Sequence, residues 1–95
     1  MAIYFVTGHK GAIDWARNKG IEAELVGHLD LAKIRSGDWV LGTLPVSLAA
    51  EVCAKGARYL HLTMDVPPEA RRRELSAVEM EVFGARLEEY HVRRG

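Results

Sequence analysis

Two short apolar segments, each followed by a loop and a helical pattern, constrain the fold of this chain most. The first is Ile3–Val6, which leads into Thr7-Gly8-His9-Lys10-Gly11; the second is Trp39–Gly42, which leads into Thr43-Leu44-Pro45. An unbroken apolar run of this length is typical of a strand buried on both faces, at the centre of a parallel sheet. The chain is therefore predicted to be an α/β protein built from strand–helix–strand units.

The other strands and the first two helices follow from apolar spacing and turn residues. The second strand is expected within Glu22–Leu29 and the fourth at Tyr59–Leu62, with a single helical turn at Leu31–Ile34 capped by Asp30. Helices are predicted over Ala12–Lys19 and Val46–Lys55, each ended by a glycine.

A third helix is predicted from Ser76 to about Tyr90. Ser76 and Glu79 form a capping box, which is a typical helix start. Apolar residues recur after it at three- and four-residue spacing and predict a buried stripe of Met80, Phe83, Leu87 and Tyr90.

Right-handed crossovers with the most apolar strands in the centre predict a four-stranded parallel sheet of order 2-1-3-4, with helices on both faces. The chain then reverses direction between the first and third strands. Ligands of such sheets bind at the carboxyl ends of the strands where this reversal occurs. The loops Thr7–Gly11 and Thr43–Pro45 are thus expected to lie side by side and to form a binding crevice.

The loop Gly8-His9-Lys10-Gly11 is the main candidate for chemistry, with His9 and Lys10 as predicted catalytic residues. Glycine lets the backbone approach a ligand closely, and free N–H groups at a helix start attract anions, so Thr7, Gly8 and Gly11 are predicted ligand contacts. Neither a Walker motif nor a dinucleotide fingerprint is present. The alternative is a plain strand-to-helix turn with two solvated polar side chains.

Further ligand contacts are predicted from the loops after the third and fourth strands. Gly42, Thr43, Leu44 and Pro45 would supply a hydroxyl and backbone donors, or serve simply as a helix start. The run Arg71–Arg73 follows the fourth strand on the same side, and Asp65 lies at that strand's end. A solvated charge run is one interpretation of these arginines; in the other, Arg72 or Arg73 folds over a bound phosphate.

Composition narrows the class of protein. Thirteen basic side chains balance thirteen acidic ones, which disfavours contact with long DNA or RNA. The single cysteine, Cys53, has no intrachain partner and is expected to be a buried small side chain rather than a nucleophile. His28 with Asp30, and His61 with Asp65, lack metal-ligand spacing, so no metal or other cofactor is predicted. We see no signal peptide or membrane span and expect a single cytoplasmic domain of 95 residues.

Four segments together resemble a known family. They are Ala2–Ala12, Gly42–Cys53, Gly56–Leu62 and Arg73–Ser76. These stretches are similar to the small CRISPR-associated proteins numbered sixteen in the Csx series, which accompany type III CRISPR systems.

The resemblance implies a Rossmann-like fold of the kind that binds cyclic oligoadenylate messengers. It also implies a ring nuclease that cleaves cyclic tetra-adenylate and so ends the antiviral signal. A symmetric ring suits a two-fold homodimer. Two alternatives stay open: a protein that binds the messenger without cutting it, and a module that docks on another CRISPR component.

Overall fold

The computed structural model describes all residues from Met1 to Gly95. Five strands form one sheet, flanked by three α-helices and two short 3₁₀ helices. The strands are β1 (Ile3–Val6), β2 (Glu24–Val26), β3 (Trp39–Gly42), β4 (Arg58–Thr63) and β5 (Arg86–Tyr90). The α-helices are α1 (Lys10–Asn18), α2 (Val46–Ala54) and α3 (Ala77–Val82), and the 3₁₀ helices are Leu31–Lys33 and Pro68–Ala70.

The sheet has the strand order β2-β1-β3-β4-β5. Strands β1 to β4 are parallel, whereas β5 pairs antiparallel with β4. The predicted α/β class and the order 2-1-3-4 are confirmed. The predicted strand count is wrong, because the sheet has five strands and not four.

The fifth strand occupies chain that was expected to be helical. Helix α3 begins with the predicted capping box: the Ser76 hydroxyl accepts from the Glu79 amide and the Glu79 carboxylate accepts from the Ser76 amide, each at 3.1 Å. The helix ends at Val82, and Gly84 then takes a φ of 73°, a left-handed conformation that favours glycine. The residues that follow pair with β4, where Arg58 and Glu89 make two hydrogen bonds of 2.7 and 2.6 Å.

Apolar side chains pack on both faces of the sheet. On one face, Phe5 and Leu41 pack with Trp15 of α1 and Met80 of α3. On the other face, Val40 and Tyr59 pack with Val52 and Cys53 of α2. The predicted arrangement of helices on both faces is therefore confirmed. No helix has the length and apolar character needed to cross a membrane.

Asp38 joins the beginnings of β1 and β3. Its two carboxylate oxygens accept hydrogen bonds from the amides of Ala2 and Arg35, each at 3.0 Å. These two donors hold the pKa of the Asp38 carboxyl below its usual value. The side chain thereby sets the register of the two strands whose other ends form the candidate site.

Candidate functional site

A cavity of about 530 Å³ lies at the carboxyl ends of β1 and β3. The two strands are direct neighbours, with Val6 paired to Gly42 in the sheet register. Thr7, Gly8 and His9 line the cavity from the β1 loop, and Gly42 and Thr43 line it from the β3 loop. The two strand-exit loops are side by side, as the topology predicts.

A third wall comes from the segment that leads from β4 to α3. It places Arg71, Arg73 and Glu74 at the cavity together with apolar side chains. The interior is largely apolar, and the apolar residues that line it are Phe5, Val6, Ala12, Leu62, Met64, Val66, Ala70, Leu75 and Met80. The cavity therefore combines an apolar interior with a polar rim that carries two arginines and one carboxylate.

His9 lies at this rim and contacts a residue that the sequence reasoning did not select. Its Nδ1 is 2.8 Å from an Oε1 of Glu74, and both side chains are mostly exposed. The His9 amide donates to the Thr7 hydroxyl at 3.2 Å, which shapes the loop before α1. Glu74 is 65 positions away in sequence, so no local pattern could predict this contact.

Lys10 and Gly11, the two other residues of the predicted β1 loop site, play different structural roles. Lys10 is outside the cavity lining, and its Nζ pairs with Asp14 Oδ2 one helical turn away at 2.6 Å. Gly11 is buried against backbone: a Cβ atom at this position would lie 1.8 Å from the Leu75 carbonyl oxygen. Gly11 thus allows α1 to pack closely against the segment that carries Glu74.

The three arginines of the run Arg71–Arg73 do not all line the cavity. Arg71 and Arg73 line the cavity, whereas Arg72 does not. Arg71 Nε donates to the Val66 carbonyl at 3.1 Å, and Arg73 pairs with Glu79 of α3. The run directly follows the 3₁₀ helix at Pro68–Ala70, and the sequence reasoning did not single out Arg71.

The predicted contact Asp65 also lies outside the cavity lining. Its carboxylate is mostly exposed and is 3.4 Å from Arg86 of β5. This pairing partner belongs to the strand that the sequence reasoning missed.

Behind the β3 loop, Tyr59 holds the turn in place. Its buried hydroxyl accepts from the Leu44 amide at 2.9 Å, lies 3.3 Å from the Gly42 carbonyl and 2.6 Å from His61 Nδ1. Burial raises the pKa of the Tyr59 phenol, which keeps it protonated. Leu44 and Pro45 are not part of the cavity lining, so the contribution of this loop to the wall comes from Gly42 and Thr43.

The structure contains no cluster of side chains that could bind a metal ion. Nowhere do three or more His, Cys, Asp or Glu side chains come together in a way that could hold a metal ion. Cys53 is buried, and its sulfur lies 3.4 Å from the Val92 amide.

The fold and the cavity define a small α/β protein with a mostly parallel sheet and a cavity at its topological switch point, where proteins of this class bind ligands. Residues 4–93 match the family described as "Putative CRISPR-associated protein (Cas_VVA1548)". The chain belongs to this CRISPR-associated family. No curated protein and no solved structure matches the chain.

Proposed function

We propose that this protein is a ring nuclease that binds cyclic tetra-adenylate and cleaves it. The observation that carries the proposal is the character of the cavity at the switch point, with its apolar interior and its rim of His9, Arg71 and Arg73. Membership in a CRISPR-associated family and the resemblance described above support the choice of this messenger.

The cavity suits one part of such a ligand. Its volume of about 530 Å³ falls within the range of small-molecule sites. A nucleobase would enter the apolar interior, and phosphates would stay at the rim, where arginine can bind them with two hydrogen bonds. A ring of four nucleotides extends beyond one such cavity, so we propose that two copies of the chain bind it across a two-fold axis.

Cleavage can proceed by transfer within the ring itself. The ribose 2′-oxygen attacks the adjacent phosphorus, the bond from phosphorus to the 5′-oxygen breaks, and a 2′,3′-cyclic phosphate and a 5′-hydroxyl result. His9 would accept the 2′-hydroxyl proton and return a proton to the 5′-oxygen. Because Lys10 pairs with Asp14 outside the cavity, we assign the stabilisation of phosphate charge to Arg71 and Arg73.

The test is incubation of the purified protein with labelled cyclic tetra-adenylate in EDTA. We expect linear products that end in a 2′,3′-cyclic phosphate, with loss of cleavage in His9→Ala and retention in Lys10→Ala. If the ring stays intact after long incubation with the folded parent protein, this would falsify metal-independent cleavage.

A second candidate function is binding without cleavage, as a sponge or sensor. The apolar interior and Arg71 favour it, since both serve affinity and neither is needed for proton transfer. Tight binding with no product would support this function. Absence of binding by the folded parent protein would instead favour a docking module.

A further inference from the structure

We propose that Glu74 is a positioning residue for His9, and that it fixes which imidazole nitrogen carries the proton. This inference rests on the proposed function, because it assigns Glu74 to the step in which His9 moves a proton. It is carried by the 2.8 Å contact between His9 Nδ1 and Glu74 Oε1 at the rim of the cavity.

Both partners are attached to backbone that is held in place. His9 is the residue at the N-cap position of α1, and its amide donates to the Thr7 hydroxyl. Glu74 lies between Arg73, which pairs with Glu79 of α3, and Leu75, whose carbonyl packs against Gly11. The two side chains therefore meet because α1 and the segment before α3 are packed together at Gly11.

The contact determines the tautomer of the neutral imidazole. An ionised carboxylate only accepts hydrogen bonds, so the His9 nitrogen next to it, Nδ1, must be the donor. The lone pair is then on Nε2, and this nitrogen is free to take the proton of a ribose 2′-hydroxyl. Without Glu74, a fraction of the protein molecules would carry the His9 proton on Nε2, and in those molecules Nε2 could not act as the base.

Glu74 is expected to promote cleavage through His9, but its negative charge is expected to weaken binding of the ligand. It is the only carboxylate among the residues that line the cavity, where Arg71 and Arg73 would attract phosphate. A negative charge at this rim repels a negative ligand. Removal of the carboxylate should thus weaken cleavage and strengthen binding, a combination that loss of folding would not produce.

The experiment compares Glu74→Ala, Glu74→Gln and the control Glu69→Ala, which removes an exposed carboxylate outside the cavity lining. Affinity for cyclic tetra-adenylate and the single-turnover cleavage rate are measured for each. We expect cleavage by Glu74→Ala to fall on the order of tenfold or more while binding tightens severalfold. Glu74→Gln keeps an acceptor oxygen and should retain more of the rate, whereas Glu69→Ala should change neither value. An unchanged rate in Glu74→Ala overturns the inference, even if binding tightens.

A second measurement tests the inference without depending on cleavage. Nitrogen-15 spectra of the free protein, at a pH where the imidazole is neutral, report which His9 nitrogen carries the proton. The expected result is Nδ1–H in the parent protein and a shift toward Nε2–H in Glu74→Ala. The same tautomer in both proteins overturns the inference. If the parent protein leaves the ring intact, the proposed function fails, while these spectra still decide whether Glu74 orients His9.

Discussion

The carbonyl oxygen of Leu75 lies where a side chain at Gly11 would begin, with only 1.8 Å between that oxygen and a Cβ built on Gly11. This approach joins the first turn of α1 to the segment that enters α3. It also brings the rim residues His9 and Glu74 together, one from each side of the contact. Gly11, which sequence reasoning assigned to ligand binding, lies outside the cavity lining and is a packing residue.

Gly11→Ala is expected to destabilise the protein. The new methyl group would force the Leu75 backbone outward, and overpacking of this kind costs about 1–3 kcal/mol. The matched control is Gly8→Ala in the same loop, where an added Cβ meets nothing within 4 Å. Denaturant unfolding of the two variants checks the prediction; equal free energies of unfolding would contradict it.

Arg71→Ala and Lys10→Ala should differ in ligand binding. Arg71 lines the cavity, and loss of one charge-assisted hydrogen bond to phosphate weakens binding by roughly 10- to 100-fold. Lys10 pairs with Asp14 on the exposed side of α1, so its removal should leave affinity for cyclic tetra-adenylate nearly unchanged. Titration calorimetry measures both. A greater loss of affinity in Lys10→Ala than in Arg71→Ala would show that Lys10, and not Arg71, contacts the phosphate.

Tyr59→Phe should loosen the β3 loop. The change leaves the partly buried Leu44 amide without its partner, at a cost of about 1 kcal/mol, the net value of a typical hydrogen bond. Faster hydrogen exchange of the Leu44 amide is the direct readout. Tyr90→Phe is the control, because the Tyr90 hydroxyl only contacts Glu88 at 3.4 Å on the exposed edge strand. Unchanged exchange at Leu44 would show that Tyr59 does not hold the turn.

Asp38→Asn should remove a stabilising contribution that depends on pH. The amides of Ala2 and Arg35 lower the pKa of the Asp38 carboxyl in the folded protein, so the ionised side chain stabilises the fold above its usual pKa of 3.8. That contribution is lost as the pH falls through the lower folded value. Asparagine can accept only one of the two hydrogen bonds, so the variant should unfold more easily at pH 7. Unfolding curves should converge in strong acid, and a constant difference at all pH values would contradict this account.

Some local features could be predicted because neighbouring residues encode them. The capping box of Ser76 and Glu79 and the Asp30 cap of the Leu31–Lys33 turn depend on side chains within a few positions of each other. The prediction of a helix up to about Tyr90 is wrong for an equally local reason. Leu87 and Tyr90 continue the helical spacing of Met80 and Phe83, but Gly84 ends the helix and β4 offers an unpaired edge to Arg86–Tyr90.

The sequence by itself determined the α/β class, the order of the first four strands and the edge of the sheet where the cavity lies. Apolar runs, turn residues and crossover handedness carry that information, and each acts over short stretches of chain. Only the tertiary structure decided that Arg71 lines the cavity instead of Lys10, and that Glu74 contacts His9. The reason is physical: the direction of a rim side chain depends on the backbone packed against it, and here that backbone comes from residues more than sixty positions away.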